Sequence, residues 1–199
     1  MTDGASRQWL AEDVHLGLHA AGATVGSLPK LGRRAAWLLE PGFGLVGALR
    51  VLQTDALDGD AIIVAALGLP FEMALSWGHG CVGSFAPPAD VLLDDGERAL
   101  RVVAEWCDRP DDRWAWEAHR LSVGLGLAVP AGWLAHALSR LVEPPGMLGE
   151  AGRLAARHAV LAAVGLAAAE ADADRFGPYP ARLALCADLA LAIARGAVS

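Results

Sequence analysis

No run of Lys and Arg occurs anywhere in the 199 residues; Lys30 is the sole lysine and Arg33-Arg34 the one adjacent basic pair. A nucleic-acid binder needs clustered cations to displace counterions from phosphates. With a formal charge of −7 as well, the sequence argues against nucleic acid as a partner. Cysteine is equally scarce: Cys81, Cys107 and Cys186 are the full set, and no CxxC occurs. An odd, sparse set is not a disulfide framework. It reads as three buried thiols in a reducing, cytoplasmic setting, behaving as small apolar side chains. The first residues, Met1 to Arg7, lack the basic region and apolar stretch of a secretory signal. Strand-like alternation of apolar and polar residues is also missing.

What is there in quantity is alanine. Hydrophobic residues make up 54% of the chain and the mean hydropathy is +0.36. Alanine contributes much of this excess, adds little hydrophobicity per residue and has the best helix propensity. The composition therefore points to close-packed helices.

The pattern along the chain agrees. Trp9, Leu10, Val14 and Leu18 recur at helical spacing within residues 5–20. Short helices are predicted over 31–40 and 43–53. The apolar run Ala61 to Leu69 lacks alternation and reads as a buried helix, and Pro70 opens the next one through Trp77 and Cys81. Pro87-Pro88 reads as a linker. Residues 89–107 are amphipathic, with Val103 and Trp106 inward. Pro110 and Pro130 mark two further helix starts, Leu148 to Glu170 reads as a long Ala-rich helix, and Ala181 to Arg195 as the last. The prediction is an all-α fold of nine or ten helices with no confident strand. It forms one domain over 1–199, and any subdivision falls near 86–89.

Leu121 to Ser139 is an uncharged window long enough to span a bilayer. Pro130, Gly132 and His136 interrupt it, so two helices meeting at Val129-Pro130 is the preferred reading and membrane insertion is disfavoured.

Candidate sites are few. His15 and His19, four residues apart with Glu12 nearby, present two imidazoles on one helix face and are the weak metal candidates. No third or fourth ligand is identifiable, so ordinary solvated histidines are the simpler account. His79 and Cys81, with Cys107 and His119 further on, contain a nucleophile and a base for Cys–His chemistry. They match no zinc spacing, and a buried thiol beside an ordinary His is preferred. Gly42 to Gly47 satisfies GxGxxG, but no strand precedes it, as a dinucleotide fingerprint requires. The acidic residues Glu105, Asp108, Asp111 and Asp112 around Pro110 suit a solvated turn and a helix dipole. Seven tryptophans are many for this length. Trp77, Trp106 and Trp133 are predicted largely buried. Trp114 and Trp116, two apart on a helix, cannot point the same way; together they are the candidate interaction surface.

Three stretches are similar to an uncharacterised all-helical bacterial family, a domain of unknown function. They are Asp60-Ala61 through Leu69-Pro70 to Trp77 and Cys81; Glu105-Trp106 with Pro110 and Arg113; and Pro130-Ala131-Gly132-Trp133-Leu134-Ala135. The resemblance extends over residues 45 to 196. It departs from the family at Ser76-Trp77, where a Trp-Trp pair is usual, and at Ser139 to Pro144, where a Ser-Gly-Gly-Ser segment is usual. It implies an accessory role near bacterial secretion systems, notably type VI, and no activity. The expectation is a non-enzymatic helical adaptor with a protein partner, no catalytic residue and no cofactor. A metal-binding or Cys–His enzyme and a membrane-associated helical protein stay open as alternatives.

Overall fold

The computed structural model describes residues 31–39, 44–86, 94–142 and 150–196. The helix read over 5–20, with His15 and His19, and the Pro87-Pro88 linker lie outside the described residues. Among the described residues there are ten α-helices and no strand, which makes the fold all-α. The helices are α1 (Arg33–Leu38), α2 (Leu45–Thr54), α3 (Asp58–Gly68), α4 (Phe71–Phe85) and α5 (Asp94–Asp108). They continue as α6 (Asp112–Leu125), α7 (Pro130–Ser139), α8 (Glu150–Glu170), α9 (Ala173–Phe176) and α10 (Tyr179–Gly196). A single 3-10 turn, Arg140–Val142, follows α7.

The chain divides into two compact units. One is built from residues up to Leu69 together with Leu183 onward; the other is Pro70–Arg182.

In the first unit, α2 and α3 pack together through a tight reversal. Ala56 adopts φ 54°, and the Leu57 N–H donates to the Leu52 carbonyl at 2.8 Å. This is the left-handed helix ending usually given to glycine. The apolar run predicted as a buried helix is α3, in which Ala61, Ile62 and Val64 through Gly68 are buried. Gln53 Nε2 donates to Asp188 Oδ1 at 2.7 Å, tying α2 to α10. The Gly32 N–H donates to Asp60 Oδ1 at 2.7 Å, holding the start of α1 to the first turn of α3.

The second unit is arranged around α7, which touches α4, α5, α6 and α8. Its sequence explains the position. Pro130 occupies the first helical residue after an extended Val129, as a proline start requires, and small residues follow. Ala131, Gly132, Ala135 and Ala137 are buried with Leu134 and Leu138, so neighbouring helices approach closely. Two glycines are required by that closeness. A Cβ on Gly78 would lie 2.6 Å from Val160 Cγ1 and 3.1 Å from Leu134 Cδ2, where α4 meets α8 and α7. A Cβ on Gly132 would overlap the Gly126 carbonyl oxygen, in the turn where Gly126 itself adopts φ 68°.

The long helix α8 buries Ala156, Ala159, Val160, Ala163, Val164, Ala167 and Ala168, an inward stripe at i, i+3, i+4 and i+7. At its end Arg182, only 7% exposed, donates from Nη1 to the Ala171 carbonyl. A cation at the carbonyl end of a helix is well placed. Phe85 meets Phe176 edge-on at 5.2 Å, and Phe71 meets Trp106 at 6.2 Å.

Several boundaries differ from the sequence reading. Pro70 sits at the N-cap position of α4, one residue before the helix. Pro110 precedes α6 by two residues, and Asp111 is the cap, its carboxylate accepting the Arg113 N–H at 2.8 Å. The short helix α9 was not anticipated, and Gly196 lies inside α10 instead of after it. The uncharged window does divide as expected, with α6 ending at Leu125 and α7 beginning at Pro130. Among the described residues no helix is long and apolar enough to cross a membrane.

Candidate interaction surface

Helix α6 carries its polar and apolar residues on both sides, and the two sides meet different fates. Ala115, Ala118, Leu121 and Ser122 are buried against the unit. On the opposite face Trp116 is 60% exposed and Val123 73% exposed. Seven residues is close to two helical turns, so the two side chains share a face. Leu127, in the turn after the helix, is 44% exposed. Isolated surface apolar residues are normal. Trp116 and Val123 on one helix face, with Leu127 in the turn that follows, leave large apolar side chains open in this region, a feature that marks contact sites.

The borders of this face are polar and held by ion pairs. Glu117 accepts from Arg120 at 2.9 and 3.0 Å and also pairs with Arg98 of α5. The hydrogen bonds from Arg120, with the charges of both guanidiniums, hold the Glu117 carboxyl below the usual range. His119 is exposed beside Trp116, its ring edge-on at 6.3 Å and 86°. Such exposed pairs orient side chains more than they stabilise the fold.

Trp114 behaves differently from Trp116. Two residues back on the helix it points to the other side and is half-buried, with the Arg113 guanidinium 4.4 Å from its ring centre. Its indole Nε1 is buried without a hydrogen-bond partner. Of the predicted pair, the exposed face thus holds Trp116, while Trp114 packs inward. Trp77 and Trp106 are buried as predicted. Trp133, predicted largely buried, keeps part of its surface open on α7, which is apolar nearly all round. Its ring meets His136 edge-on at 6.2 Å.

The Cys–His candidates fall apart in space or in access. His79 is half-buried, and burial lowers its pKa, partly offset by a hydrogen bond to the Leu100 backbone. Cys81, two residues on and so nearly opposite around α4, is 2% exposed. Cys107 is half-buried, its thiol pushed up to about 11 by burial. It lies seven residues beyond Leu100, about 10 Å along α5 by helix rise. Among the described residues no group of three His, Cys, Asp or Glu side chains is placed to hold a metal ion. His158 is half-buried, with its pKa lowered by desolvation and its Nε2 buried without a partner. Asp58 and Asp188 face each other in the first unit; burial first, and then the Asp188 charge, raise the Asp58 pKa. Gly42 and Phe43 of the GxGxxG segment lie outside the described residues. Gly44 is extended and Leu45 begins a helix, with α1 the described element before it.

Sequence reasoning missed Val123 and Leu127. The signal was available: Val123 stands seven residues after Trp116. It lay within a window read for membrane insertion, where an apolar residue attracts no notice.

Residues 48–194 match a family of unknown function, DUF6931. The chain belongs to that family. No curated protein and no solved structure matches it.

Proposed function

We propose that this member of the DUF6931 family is a non-enzymatic helical adaptor that works by protein–protein contact through the outer face of α6. The observation that carries the reading is the exposure of Trp116 and Val123 along one side of that helix, with Leu127 exposed in the turn after it. An exposed tryptophan is a typical anchor residue, supplying large apolar area with few rotatable bonds. The surrounding arginines, glutamate and histidine would form the polar rim. Trp114, packed behind, supports the helix from its inner side. On this reading the protein acts in the cytoplasm, and its partner is another protein, with secretion-system components of bacteria the first class to search.

The test compares proximity cross-linking in the native host by wild type and by a Trp116→Ser/Val123→Ser variant. Partners enriched by wild type and lost from the variant, with circular dichroism and thermal unfolding unchanged, support the reading. The same cross-linked set for both proteins overturns it. No specific observation favours the metal-binding or the Cys–His alternative.

A further inference from the structure

We draw no further inference here: the strongest candidate, the exposed apolar surface of Trp116 and Val123 on α6 with Leu127 in the turn after it, belongs to the surface already described, and nothing in the structure shows what covers it.

Discussion

Gly132→Ala probes the tightest approach among the described glycines of the second unit. On propensity alone the change should help, since alanine exceeds glycine in a helix by up to about 1 kcal/mol. The tertiary contact opposes it. The added methyl would overlap the carbonyl oxygen of Gly126 and lie 3.2 Å from its carbon and 3.4 Å from Leu125 Cβ. Carbon atoms prefer roughly 3.5–4.0 Å. The obstacle is backbone, in a turn fixed by the positive φ of Gly126. Nor can α7 slide away freely, because four other helices touch it. Overpacking of this kind costs about 1–3 kcal/mol, occasionally more, and here it should exceed the propensity gain. Urea unfolding followed by tryptophan fluorescence reads the effect, because Trp77, Trp106, Trp114, Trp116 and Trp133 all belong to the second unit. With a slope of roughly 2 kcal/mol per molar urea, a net loss near 2 kcal/mol moves the midpoint down by about 1 M. Gly165→Ala is the control: no atom lies within 4 Å of its added Cβ, so that variant should match or exceed wild type. A Gly132→Ala midpoint at or above wild type would refute the close approach of α7 to the Gly126 turn.

Three further outcomes are expected. Trp77→Ala should destabilise by about 3–5 kcal/mol, as a large side chain lost from a packed core, while Trp116→Ala should change stability by less than about 0.5 kcal/mol; thermal unfolding of both variants checks the contrast. Iodoacetamide at pH 7 should label the native protein slowly at all three cysteines. Cys81 and Cys186 are buried, and Cys107, with its thiol at about 11 against an ordinary 9.0, should hold about 100-fold less thiolate than a free thiol. Fast, selective labelling of Cys81 in a peptide-mapping experiment would contradict the non-enzymatic reading. Finally, His79 and His158 both have folded pKa values below the ordinary 6.5. The unfolded chain then binds protons more readily, so stability is fully present above pH 6.5 and declines as pH falls through 6.5 toward the lowered values. Urea midpoints at pH 7.5, 6.5 and 5.5 should fall in that order, and His158→Gln should flatten the slope; an unchanged slope in that variant would remove His158 from the account.

The motif stretches near Trp77, Trp106 and Pro130 to Ala135 show how much of the site was legible. From Pro70 onward they fall on the part of the chain that builds the packed second unit, and the buried state of Trp77 and Trp106 followed from their place on amphipathic helices. Which part of Trp133 stays open was less legible, because Ala131 to Ala135 offers no polar side to orient the helix. Trp116 was identifiable as one of a pair, but only the register of α6 against its neighbours separates it from Trp114. Arg182, near the start of α10, is buried because its target, the Ala171 carbonyl, belongs to the end of another helix.

The linear sequence determined that this protein is helical. Alanine content, the absence of alternation and prolines at or just before helix starts act within a few residues of one another, so local chemistry was enough to place nearly every described helix. The tertiary structure decided which faces are covered. Where α7 is apolar all round, burial depends on which four helices crowd against it. Where α6 is apolar on two sides, exposure depends on which side finds no neighbour among the described residues. Those are contacts between segments distant in the chain, and no local pattern carries them.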